Sequence, residues 1–159
     1  MASKLPTVAI IGQANVGKSS LFNRLVRARQ AIVAKEAGTT RDSIIGKVSY
    51  LRRDDEISDD ASEFWLVDTA GLKTAEDEFE ATIQEQIEEA VVAADTIIVA
   101  VDSTLYPTDQ DRLIAKKALR SQKPVILVAN KCDLKGSLSI DEFKRLGIKT
   151  IIRTSAEHS

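Results

Sequence analysis

Short runs of apolar residues alternate along this chain with stretches whose apolar positions recur every three or four residues. The runs predict strands at residues 7–11, 44–51, 64–67, 96–101, 124–129 and 149–153. Several are apolar throughout, as in Ile97-Ile98-Val99-Ala100-Val101, which is the composition of a strand covered by helices on both faces. Helical periods fill the gaps. Residues 18–27 place Leu21, Phe22, Leu25 and Val26 on one stripe, and residues 79–94 do so with Phe79, Ile83, Ile87, Ala90 and Val91. Residues 109–120 follow with Leu113, Ile114 and Leu119, and Ser139 is a candidate cap for a short helix through Leu146 that stops at Gly147. This alternation predicts an α/β fold with a mostly parallel six-stranded sheet and helices on both faces.

Two stretches break the pattern. Residues 29–42 form a polar segment without a clear period, and residues 54–63 are a strongly acidic run expected to be a solvated hairpin turn. The chain stops at Ser159, directly after its last expected strand, where a doubly wound domain would add a covering helix. The expectation is a single domain over residues 1–159, cut from a longer protein, with its final helix missing.

Composition narrows the function classes. The 159 residues suit one core, and 22 Lys plus Arg against 24 Asp plus Glu leave a net charge of −2. That balance carries no direct nucleic-acid signature. No apolar run approaches the ~20 residues needed to cross a bilayer, and the N-terminus lacks the apolar stretch of a signal peptide. The single cysteine, Cys132, cannot form an internal disulfide. The expected setting is cytoplasmic, with no membrane partner.

The chemistry begins at Gly12-Gln13-Ala14-Asn15-Val16-Gly17-Lys18-Ser19, which fits G-x-x-x-x-G-K-S between a predicted strand and a predicted helix. Gly12 and Gly17 let the backbone bend so that successive N–H groups, from Gln13 through Ser20, face one anion. The helix starting near Lys18 points its positive dipole end the same way. Lys18 is expected to neutralise the β- and γ-phosphates and Ser19 to ligate Mg²⁺. The motif implies a nucleoside triphosphate without naming the base.

The base is named by Asn130-Lys131-Cys132-Asp133, at the carboxyl end of the strand ending near Ala129. An Asp133 carboxylate offers two acceptors side by side, matching the N1–H and 2-amino donors of guanine. Adenine would set a lone pair against a desolvated charge, a mismatch of more than ~3 kcal/mol. Asn130 is expected to tie loops together, and the Lys131 stem to lie over the purine. Ser155-Ala156, after another strand, would supply a backbone N–H to the guanine carbonyl. GTP and GDP are therefore the expected ligands, and an ATP-using kinase or ATPase is the rival that Asp133 argues against.

Asp68-Thr69-Ala70-Gly71 ends a further strand. Asp68 is expected to hold Mg²⁺ through a water, while Gly71 offers an unobstructed N–H to the γ-phosphate. In Gly38-Thr39-Thr40-Arg41-Asp42 a threonine hydroxyl would complete the Mg²⁺ shell, Thr40 first and Thr39 as the alternative. Leu72 follows Gly71, where Ras-like proteins place a glutamine that orients water. An aliphatic side chain cannot do so, and slow intrinsic hydrolysis is expected. A second rival follows: a nucleotide-binding interaction module without appreciable turnover.

These residues together, with Leu21-Phe22-Asn23-Arg24-Leu25, Ala31-Ile32-Val33-Ala34 and Glu76-Asp77-Glu78, resemble the translation-factor-related P-loop GTPases of the Era and MnmE group. Within it they are similar to bacterial members with two tandem G domains and a C-terminal KH-like domain, and match the first G domain. The resemblance implies GTP hydrolysis with a hydrophobic residue in place of the glutamine. It implies a K⁺ ion held with the help of Asn15 in place of an arginine finger, and a role in assembly of the large (50S) ribosomal subunit. Lys18, Asn15, Thr40 and Gly71 would then serve hydrolysis. Arg41 reads instead as a loop charge beside Asp42, Cys132 as a small filler, and His158 as a solvated residue near the terminus.

Overall fold

The computed structural model describes residues 5–14, 16–26, 44–50, 62–68 and 80–155. The elements run β1 (Thr7–Gly12), α1 (Lys18–Val26), β2 (Ile44–Tyr50), β3 (Ser62–Asp68), α2 (Glu80–Ala93), β4 (Thr96–Asp102), α3 (Asp109–Arg120), β5 (Val125–Asn130), a 3-10 helix (Ile140–Leu146) and β6 (Thr150–Arg153). One six-stranded sheet has the order β2-β3-β1-β4-β5-β6. β2 pairs antiparallel with β3, and every other pair is parallel. The expected α/β architecture is present.

The faces of the sheet hold separate cores. On one, Ile87 and Val91 of α2, Ile114, Ala115 and Ala118 of α3, and Phe143 and Leu146 of the 3-10 helix pack against Ile97, Val99, Val101 and Leu127. On the other, Leu21, Phe22 and Val26 of α1 cover Ile10, Leu66, Ala100 and Val128. Buried aliphatic side chains contribute about 1.5–3 kcal/mol each, so the central strands anchor whatever stands at their ends.

Three local expectations are corrected. Leu113 and Leu119 of α3 are about 40% exposed, and the helix instead buries Ala115 and Ala118, whose small side chains let its backbone approach the sheet. Leu25 of α1 is likewise 40% exposed. β3 begins at Ser62 rather than Phe64, because the end of the acidic run joins the ladder: Ser62 pairs with Tyr50, and Glu63 meets Lys47 at 3.1 Å.

The helix expected from Ser139 is of the 3-10 type. Its end bonds span three residues (Glu142 N to Ser139 O and Gly147 N to Lys144 O, both 3.1 Å), and Gly147 closes it with φ at 81°. Among the described residues no helix is long and apolar enough to cross a membrane.

Candidate nucleotide-binding site

Parallel strands end at the same edge, and this edge gathers residues far apart in sequence. Ile10 is in register with Asp68, Gly12 with Ala100, and Asp102 with Asn130. The phosphate loop leaves β1, Asp68 closes β3, Asp102 closes β4 and Asn130 closes β5. Four chain segments therefore converge at the carboxyl edge, where open α/β sheets bind ligands.

Lys18 opens α1 yet is only 5% exposed. Its ammonium donates to the carbonyl oxygen of Gly12 at 2.6 Å and to that of Gln13. Burial lowers its pKa from 10.5 to about 8, with the Asp68 carboxylate pulling the other way. A cation held in low dielectric beside a buried carboxylate is suited to receiving anionic oxygens. The Leu21 amide donates to Gly17 O at 2.9 Å, closing the first helical turn. Ser19 is exposed and Ser20 half-buried on that turn.

Asn130 ties the site together. It is 1% exposed; its Nδ2 donates to Val16 O at 3.1 Å, and its Oδ1 accepts from the Thr154 hydroxyl at 3.0 Å. Gly17 packs so closely on this amide that a β-carbon would collide with it, and its φ of 93° disfavours any side chain. The Thr154 amide and carbonyl extend the link, to Ala129 O at 2.9 Å and from Cys132 N at 3.0 Å. The phosphate loop, the turn after β5 and the segment holding Ser155 thus share one polar junction. Ser155 Oγ is buried and has no hydrogen-bond partner among the described residues.

Lys131 turns the chain after β5 with φ at 64°, and its ammonium meets Asp102 Oδ2 at 3.1 Å. Burial pushes the Asp102 carboxyl upward, but bonds from the Thr104 hydroxyl and amide and from Lys131 outweigh it, so its pKa lies below the ordinary value. Asp133 is exposed. Cys132 is half-buried against the core, its thiol directed to Ala129 O at 3.1 Å, in keeping with a filler role.

Among the site residues expected from sequence, Gly12, Gln13, Ala14, Val16, Gly17, Lys18, Ser19, Ser20, Asp68, Asn130, Lys131, Asp133 and Ser155 occupy these strand ends and loops. Asn15, Thr39, Thr40, Arg41, Asp42, Thr69, Ala70, Gly71, Leu72, Ala156 and His158 lie outside the described residues. Sequence reasoning missed Asp102, Thr108 and Asp111. Gln13 Nε2 donates to Thr108 Oγ1 at 2.6 Å and to Asp111 Oδ1 at 2.8 Å. Thr108-x-x-Asp111 is a recognisable capping box, but its distant partner in the phosphate loop has no sequence signal.

Comparison with known proteins agrees with this arrangement. A family model described as 50S ribosome-binding GTPase matches residues 7–131. The GTPase Der of Porphyromonas gingivalis is 46% identical over 143 residues, 89% of this chain and 31% of that protein. The GTPase Der of Lactobacillus johnsonii is 39% identical over 155 residues, 97% of this chain and 34% of that protein. The chain thus spans about a third of the length of these relatives.

Among solved structures, an Aquifex aeolicus Era variant bound to GDP and AlF4− superposes with a TM-score of 0.68 at 28% identity, covering 97% of this chain and 52% of the other. The FeoB G domain of T. maritima gives 0.66 at 25% identity, covering 97% and 89%. The chain therefore belongs to the 50S ribosome-binding GTPase family, as a P-loop G domain similar to those of the GTPase Der.

Proposed function

We propose that this domain binds GTP with Mg²⁺ and hydrolyses it to GDP and phosphate, serving as a nucleotide-dependent switch. The observation that carries the reading is the Asn130–Val16 bond, which ties the end of β5 to the phosphate loop and so supports a single site spanning both. The backbone amides of residues 12–20 would cradle the phosphates, with Lys18 leaving its loop carbonyls to neutralise the β- and γ-oxygens. Asp133 would accept the two guanine donors, Lys131 would lie over the ring while Asp102 steadies its ammonium, and Ser155 and Ala156 would border the purine carbonyl.

The donors fit Mg²⁺: the Ser19 hydroxyl and the Asp68 carboxylate are hard oxygen ligands. With Thr40 they would hold an ion that draws charge from the phosphates during transfer. Gly71, with Thr69 and Ala70 beside it, would sense the γ-phosphate. Asn15 would help hold K⁺, a role suggested by resemblance alone. In a longer protein the same switch would serve assembly of the 50S subunit in the cytoplasm, a reading supported by the family description and the Der likeness.

Competition binding tests the core of this proposal. GTP is expected to displace a labelled guanine nucleotide far better than ATP does, and equal displacement would remove the guanine assignment. Hydrolysis is followed separately by phosphate release, where a slow rate is expected because Leu72 cannot orient water.

A further inference from the structure

α3 begins with a reciprocal cap. The Asp111 amide donates to Thr108 Oγ1 at 3.3 Å, and the Thr108 amide donates to Asp111 Oδ2 at 3.0 Å. That cap uses only one carboxylate oxygen of Asp111. The other, Oδ1, accepts from the side chain of Gln13 in the phosphate loop, 98 residues away in sequence. A carboxylate is acceptor-only, so the amide nitrogen of Gln13 must face it, and the same nitrogen reaches Thr108 Oγ1 at 2.6 Å. Asp111 is 7% exposed and its bond to Gln13 is partly shielded, whereas the bond from Gln13 to Thr108 lies at the surface. The main chain of the tethered residue also matters, because the Gln13 carbonyl is one of the two acceptors of the Lys18 ammonium.

We infer that Thr108 and Asp111 are positioning residues for the phosphate loop, acting through Gln13, so that the start of α3 belongs to the nucleotide-binding machinery. The inference rests on the guanine-nucleotide reading above and adds to it a part of the chain outside every nucleotide motif. Its physical basis is pre-organisation. The loop must aim several N–H groups at one anion, and each freely rotating residue raises the ordering cost of binding. When Lys18 turns from the Gln13 carbonyl to a phosphate, the backbone of Gln13 loses that anchor. The side-chain bonds to α3 remain and keep the loop in shape.

The test is GDP affinity by titration, with the unfolding midpoint of nucleotide-free protein measured beside it. Gln13→Met removes the tether and leaves the cap intact. It should weaken GDP roughly five- to tenfold while the midpoint hardly moves. Thr108→Val should weaken GDP similarly, and Thr108→Ser should restore it. Gln13→Glu sets carboxylate against carboxylate and should be worse than Gln13→Met. Adding Asp111→Asn exchanges donor and acceptor, and should recover most of the loss. The double variant also removes the Asp111 charge, so Asp111→Asn alone completes the cycle, and the departure from additivity isolates the contact.

GDP affinity unchanged in Gln13→Met, or losses that simply add in the double variant, overturns the inference while leaving guanine binding in place. A wild-type domain that binds no guanine nucleotide overturns both readings.

Discussion

The side-chain amide of Asn130 reaches the carbonyl oxygen of Val16 at 3.1 Å, joining positions 114 residues apart in a setting closed to water. A buried backbone acceptor that loses a donor costs about 1–3 kcal/mol. Asn130→Ala is expected to destabilise the domain by roughly that amount and to weaken nucleotide binding at the same time. Chemical denaturation and nucleotide titration on one preparation check the coupling; a stability loss with full affinity retained would show the junction to be irrelevant to the ligand.

Gly17 faces the same amide. Gly17→Ala places a methyl group into the Asn130 side chain at a backbone angle of 93°. Overpacking and strain each cost on the order of 1–3 kcal/mol. The variant should melt well below wild type and bind GTP poorly, and an unchanged melting curve would contradict the packing described here.

Asp133 is exposed at the turn after β5. Asp133→Asn should reduce GTP affinity on the order of a hundredfold, as expected when paired polar contacts lose a partner, and should favour xanthosine triphosphate. Competition with the two nucleotides on wild type and variant gives the answer directly. Equal loss for both would mean that the carboxylate does not read the base.

Asp102 offers a pH signature. Its folded pKa lies below the ordinary carboxylate value of about 4, so its contribution to stability is complete above that value and fades as pH falls through the folded pKa. Asp102→Asn should therefore be less stable than wild type near neutrality, and the gap should close under acid conditions. A gap constant with pH would assign the effect to something other than this carboxylate.

Cation dependence tests the proposed role of Asn15. Hydrolysis should be faster in K⁺ than in Na⁺, with the advantage diminished by Asn15→Ala. Identical rates in both salts would remove K⁺ from the mechanism and leave guanine recognition untouched.

The family and the order of elements were legible in the sequence where the packing was not, for a physical reason. The phosphate loop and the Asn130–Asp133 turn are each contiguous, so their residue spacing is itself the pattern that marks the family, and strand-end placement followed from apolar runs. The contacts that bind these pieces are non-local. Nothing near Gln13 announces Asp111, and nothing near Lys131 announces Asp102, because each pair meets only when separate elements align. Hydrophobicity misled for α3, where Leu113 and Leu119 are the larger residues but the alanines fit against the sheet. The early start of β3 depended on pairing with β2, which no local preference encodes.

The direction of the strands has one more outcome. β2 ends at Tyr50 and β3 starts at Ser62, paired at the rim opposite the one where Asp68 stands. The connection between them is therefore anchored at the border remote from Asp68, Gly12 and Asn130. The strand ends that gather the site and the connection between β2 and β3 thus fall on opposite borders of one small sheet.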